Sequence, residues 1–158
     1  MKDVIHILLA EDDSDDRFFF KQALSDLNER VRLTIFDNGE DVLNYLFDAT
    51  NDRPDVLFLD LNMPRKNGSE CLAKIRHFKG LEELPVVVYS TSLYEEIVEN
   101  LYLLGATHYI RKTSHQELKQ MLSYVLSKLR RQILQRPHRN DFLLVAQPEL
   151  AFEEALAF

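Results

Sequence analysis

Five short runs of aliphatic and β-branched residues, at 4–10, 31–37, 56–60, 86–90 and 107–111, are separated by longer stretches in which apolar residues recur at helical spacing. Runs of this length, rich in valine, isoleucine and leucine, read as strands, and their alternation with helices implies a parallel sheet. Helices are predicted over 14–28, 39–49, 68–79 and 93–104, with a fifth from about 114 to 135. The fifth has the clearest pattern: Leu118, Met121, Leu122, Val125, Leu126 and Leu129 form one apolar stripe that must pack on something. Val86, Val87 and Val88 are apolar on both faces of their strand, which suits a sheet covered by helices on two sides. The expected architecture is therefore α/β, a doubly wound five-stranded parallel sheet. Ligands of such sheets sit beyond the carboxyl ends of the strands.

Those ends carry chemistry. The first strand runs into Glu11-Asp12-Asp13, the third ends in Asp60, the fourth in Ser90 and Thr91, and Lys112 follows the fifth. Carboxylates crowded on one rim repel, and a cation or a lysine relieves the repulsion. Mg²⁺ takes one or two carboxylates together with waters and phosphate oxygens, which matches Asp12, Asp13 and Asp60 better than a closed calcium cage does. A carboxylate is already ionised near neutral pH and attacks phosphorus without an activating base, so Asp60 is the candidate nucleophile. The Lys112 ammonium and the Ser90 hydroxyl are the remaining partners for an incoming phosphoryl group.

The formal net charge of −7 opposes binding to nucleic-acid phosphate. The lone Cys71 allows neither an intrachain disulfide nor a cysteine zinc site, which suits a reducing cytoplasm. The opening apolar run stops at the acidic triplet, too short for a leader or a membrane span.

The stretches Ile7-Leu-Leu-Ala-Glu-Asp-Asp13, Leu57-Phe-Leu-Asp-Leu-Asn-Met-Pro-Arg-Lys-Asn-Gly68, Pro85-Val-Val-Val-Tyr-Ser90 and Gly105-Ala-Thr-His-Tyr-Ile-Arg-Lys112 together resemble the response-regulator receiver family of two-component signalling, over about residues 4–131. The resemblance implies a flavodoxin-like (βα)5 fold with strand order 2-1-3-4-5, and a chemotaxis-receiver-like domain over 1–135. It implies that Asp60 is the phosphoacceptor, served by a histidine kinase or histidine phosphotransfer protein. Asp12, Asp13, Asp60 and the backbone carbonyl of Asn62 become the Mg²⁺ ligands, Ser90 and Tyr109 the switch pair, and Lys112 the family's lysine. Two residues depart from the pattern. Thr91 stands where a small residue is usual and narrows access to the phosphoryl group. Thr113 replaces a cis proline, and a cis bond without proline costs about 2.5–4 kcal/mol.

Each of these residues has a plainer role open to it. Asp12 and Asp13 suit helix capping, although Ser14, Asp15 and Asp16 are also available for that; Lys112 suits a solvated surface, and Tyr109 a core position. His6, inside the first strand, reads as structural. Only the set of motifs carries the functional reading. A receiver-like scaffold acting without phosphorylation is the alternative, and an aspartyl-phosphate phosphatase a more distant one, since Asn62 stands where that chemistry wants a second carboxylate. The chain is expected to act as a switch and not as an enzyme on other substrates, through an unknown downstream protein target.

Phe18 falls opposite the inward face formed by Phe20, Ala23, Leu24 and Leu27, and is the expected docking residue for the kinase-side partner. Residues 136–158 form a C-terminal extension, too few for an effector domain. Pro137 is predicted to stop or bend the fifth helix. The run 142–146 is apolar, and Pro148 is predicted to start a short amphipathic helix. These groups are expected to cover the chain's own fourth or fifth helix, or the same region of a second copy in a homodimer.

Overall fold

The computed structural model describes residues 2–92 and 94–146. Six parallel strands form one sheet: β1 (Ile5–Ala10), β2 (Val31–Phe36), β3 (Val56–Leu59), β4 (Val86–Ser90), β5 (His108–Arg111) and β6 (Leu143–Leu144), in the order β2-β1-β3-β4-β5-β6. Five of these strands match the sequence expectation to within one residue at each end. Their registers pair Ala10 with both Phe36 and Leu59, and Val88 with both Leu59 and Tyr109, so the strands end together along one rim.

Successive side chains of a strand point to opposite faces, and the core divides accordingly. Leu8, Leu57, Leu59, Val86 and Val88 pack under α2 (Gly39–Phe47), α3 (Gly68–His77) and α4 (Glu95–Leu103). Ile7, Leu9, Phe58, Val87 and Ile110 pack under α1 (Ser14–Leu27) and α5 (His115–Arg130). The apolar stripe of α5, from Leu118 to Leu129, is buried against this second layer. His6 is buried, its Nε2 3.0 Å from the Thr34 hydroxyl.

Four helices begin with a short polar residue whose side chain accepts an orphan amide: Asp13 from Asp16, Asn38 from Asp41, Asn67 from Glu70 and Ser114 from Glu117. Each such cap is worth about 1 kcal/mol. The fifth, α4, starts at Tyr94 with no side-chain cap.

Two expectations are corrected. The sheet has six strands, not five, because the apolar run after residue 141 lays Leu143 and Leu144 along β5, opposite Tyr109 and Ile110. The fifth helix ends at Arg130 and not near 135, and Pro137 does not end it. Gln132 takes a left-handed conformation with φ 56°; its amide bonds to Leu129 O, and the next amide, of Ile133, reaches back to Lys128 O. That pair of bonds is the Schellman stop, usually made with glycine. The helix predicted after Pro148 lies outside the described residues. Among the described residues no helix is long and apolar enough to cross a membrane.

Candidate functional site

The site is built where β1, β3, β4 and β5 end. Beyond β1 the Glu11 amide still bonds to Phe36 O, which keeps Glu11 in line with the strand and its side chain fully buried. Asp60 follows β3, with its amide on Ala10 O and its residue only 4% exposed. Gly68 makes this close approach possible, because a Cβ there would lie 2.5 Å from Asp60 O and 2.9 Å from Leu61 Cα, both backbone atoms. The Gly68 amide bonds to Leu61 O, closing the loop after Asp60. Within that loop Arg65 sits at φ 66°, a strained value for a side-chain-bearing residue.

Carboxylate oxygens of Glu11, Asp12 and Asp60 lie within 4.8 Å of one another. Lys112 Nζ is 2.6 Å from Glu11 Oε2, 2.8 Å from Asp16 Oδ2 and 3.5 Å from Asp60 Oδ1, and lies 5.1 Å from the centre of the Tyr89 ring. Glu11 Oε2 has no aligned hydrogen-bond donor among the described residues, so its short contact with Lys112 is an ion pair. Burial pushes the Glu11 carboxyl up to about 7, against the pull of Lys112. Burial likewise raises Asp60, opposed by Lys112 and by the Asn62 amide. Burial works to strip the proton from Lys112, but its contacts with Asp16 and Glu11 outweigh that and hold the ammonium charged.

One ammonium facing this many carboxylates leaves an excess of negative charge. Three carboxylate oxygens gathered within 4.8 Å, with one ammonium among them, fit a divalent cation that takes hard oxygen donors.

The expected metal ligand Asp13 is not part of this cluster. Its Oδ1 accepts the Asp16 amide at 2.9 Å as the cap of α1, and only its backbone amide faces the site, bonded to Glu11 Oε1 at 3.1 Å. Glu11 takes its place. The cap and the third residue after it are Asp13 and Asp16, but Asp12 and Asp15 share that spacing, so the sequence alone did not separate the two roles. Arg17, also unforeseen, donates to Glu11 O at 2.9 Å and Asp12 O at 3.0 Å, fixing the acidic turn.

Ser90 is buried at the end of β4, its Oγ accepting the Ser92 amide and its carbonyl accepting the Lys112 amide at 2.7 Å. Tyr109 is fully buried, with its hydroxyl donating to Ser92 O. Thr91 and Thr113 are exposed, and the described backbone has no cis peptide at Thr113 or elsewhere. A groove of about 310 Å³ opens beside Asn62, between the start of α3 and α4, with Asn67, Ser69, Glu96 and Asn100 on its walls. Phe18 and Phe19 stand out on α1, 59% and 50% exposed and edge to face at 5.8 Å.

The profile of the response regulator receiver domain matches residues 7–123. Response regulator Rcp1 of Synechocystis sp. is 33% identical over 111 residues, 68% of this chain and 76% of that protein. Sensory transduction protein LytT of Oceanobacillus iheyensis is 33% identical over 113 residues, 72% of this chain but 44% of the relative's length. Among solved structures, the phosphorylated cyanobacterial phytochrome response regulator RcpA superposes with a TM-score of 0.73 at 32% identity, covering 79% of this chain and 93% of that one. The Mn²⁺-bound form of Rcp1 superposes with a TM-score of 0.70 at 31% identity, covering 78% and 92%.

Proposed function

Since the chain belongs to the response regulator receiver family, we propose that it is a phosphorylation switch in which Asp60 accepts a phosphoryl group from a histidine kinase or a histidine phosphotransfer protein. The observation that carries this reading is the placement of a buried carboxylate at the end of β3 with Lys112 3.5 Å away and two further carboxylates beside it.

An Asp60 Oδ attacks the phosphorus of a phosphohistidine; the O–P bond forms, the P–N bond breaks, and the electron pair leaves on the imidazole nitrogen, which is then protonated. Lys112, already held charged by Asp16 and Glu11, stands ready to balance the phosphoryl oxygens as negative charge is brought in. Mg²⁺ is the cation we assign, held by Glu11, Asp12, Asp60 and the Asn62 backbone carbonyl, and it would supply further neutralisation of that charge. Ser90 and Tyr109 adjoin the site on β4 and β5 and turn the new charge into a changed packing of β5 and of α4, the helix whose start has no side-chain cap. The kinase-side partner approaches over α1, where Phe18 and Phe19 are exposed.

The reading makes the chain a cytoplasmic switch that catalyses only its own phosphorylation and dephosphorylation. Its test is mass spectrometry after incubation with Mg²⁺ and a small phosphodonor. The expected result is a gain of one phosphoryl group, absent in Asp60→Asn. An unmodified wild type would leave the scaffold reading in its place.

A further inference from the structure

Lys112 is divided between two carboxylates before any phosphoryl group reaches it. Its amide is fixed on Ser90 O at 2.7 Å, so the ammonium can shift over the rim while the backbone beneath it is held. Nζ lies 2.6 Å from Glu11 Oε2 and 2.8 Å from Asp16 Oδ2, but 3.5 Å from Asp60 Oδ1. Of these contacts the one with Asp16 is an aligned hydrogen bond. Asp16 stands outside the trio of Glu11, Asp12 and Asp60, on the first turn of α1, with its carboxylate one-third exposed. It is itself anchored there: its amide donates to Asp13 Oδ1 at 2.9 Å, and its neighbour Arg17 is bonded to the carbonyls of Glu11 and Asp12.

An ammonium has three protons to donate. Oxygens arriving at Asp60 must draw them from Lys112 while Asp16 keeps one from a fixed place on α1. We propose that Asp16 is a positioning residue that holds Lys112 back from Asp60, so that each phosphoryl transfer must first loosen the contact between Lys112 and Asp16. The inference rests on the reading of Asp60 as the phosphoacceptor. The sign of the effect follows from the chemistry. In the loose transition state of phosphoryl transfer the nucleophile is bonded only weakly, and the charge on the phosphoryl oxygens is what needs stabilising. A closer Lys112 therefore gains more from those oxygens than it costs in the nucleophilicity of Asp60, and loss of Asp16 speeds the capture.

Labelling of the full chain by a small phosphodonor with Mg²⁺ is followed by mass spectrometry for wild type, Asp16→Asn and Asp15→Asn. Asp15 is exposed on the same turn and is not among the carboxylates that Lys112 meets, so its variant removes an equal charge without touching the lysine. The expected result is a rate at least about threefold above wild type for Asp16→Asn and unchanged for Asp15→Asn. The gain should persist at about 1 M salt, where a Debye length of about 3 Å silences a long-range charge. A rate for Asp16→Asn at or below wild type, equal gains in both variants, or a gain that salt abolishes overturns the proposal. Urea melts of Asp16→Asn, Lys112→Met and the double variant give a second reading that needs no phosphodonor. The two changes should be coupled by at least about threefold in the unfolding equilibrium, and additive effects overturn the proposal as well. A wild type that takes no label while the coupling stands overturns the phosphoacceptor reading itself, and this inference with it.

Discussion

Removing the divalent cation is expected to cost stability in a way that depends on pH through Glu11. Glu11 has a folded pKa raised by burial from 4.5 to about 7. A raised carboxyl favours the protonated fold, so without metal its contribution is fully present below about pH 4.5 and is lost as pH rises to about 7, by up to about 3 kcal/mol. A cation that binds the ionised carboxylates reverses this loss. With Mg²⁺ at about ten times its dissociation constant near pH 8, the stabilisation is about 1.4 kcal/mol. For a chain of this size that is a rise of about 3–6 °C in Tm. Near pH 6 a proton must first leave Glu11, which weakens the apparent affinity about tenfold, and the same Mg²⁺ yields only about 0.4 kcal/mol. Thermal melts with and without Mg²⁺ at the two pH values measure the difference. Glu11→Gln should flatten the pH dependence and shrink the shift, whereas Asp13→Asn, which keeps the cap on α1, should leave both intact. A shift of equal size at both pH values, or one abolished by Asp13→Asn and indifferent to Glu11→Gln, refutes the assignment.

Phe18→Ala should slow transfer from a phosphohistidine partner while leaving labelling by a small phosphodonor at its wild-type rate; equal slowing of both would remove Phe18 from the docking face. Gly68→Ala should destabilise the fold by at least about 2 kcal/mol and reduce labelling of Asp60, since its Cβ meets backbone at 2.5 Å; a denaturant midpoint within error of wild type would show that the loop gives way. Phe142→Ala should lower stability by about 3–5 kcal/mol, because the ring is fully buried between two tyrosines; urea melts showing less than about 1 kcal/mol would mean that the ring contributes little where it sits.

The strands were legible because a run such as Val86 to Val88, apolar on both faces, has few ways to be satisfied other than between two layers of helix. Asp60 and Ser90 were legible for a related reason, each being the first polar residue after such a run, whereas Lys112 follows Arg111 and was legible only through the family motif around it. The acidic triplet was not. Three consecutive carboxylates can supply two to a site in more than one way, and the choice rests on where β1 stops pairing. The Glu11 amide still bonds to Phe36 O, which carries Glu11 inward and releases Asp13 to cap α1. The end of α5 was hidden because Gln132 adopts a conformation usually signalled by glycine. The sixth strand was hidden because two residues carry no periodicity; Phe142 to Ala146 read only as apolar, without a direction.

Lys112 meets Asp16 across 96 positions of sequence, and this separation orders events during synthesis. Glu11, Asp12 and Asp60 all leave the ribosome before Lys112, which follows Asp60 by roughly fifty residues, or about 3–10 s at ordinary elongation rates. Through that interval the carboxylates of the first three strands are present without the ammonium that faces them in the finished fold. A chain stalled before β5 has the nucleophile but not its lysine, so the carboxylates meet that ammonium only when the fifth strand has docked.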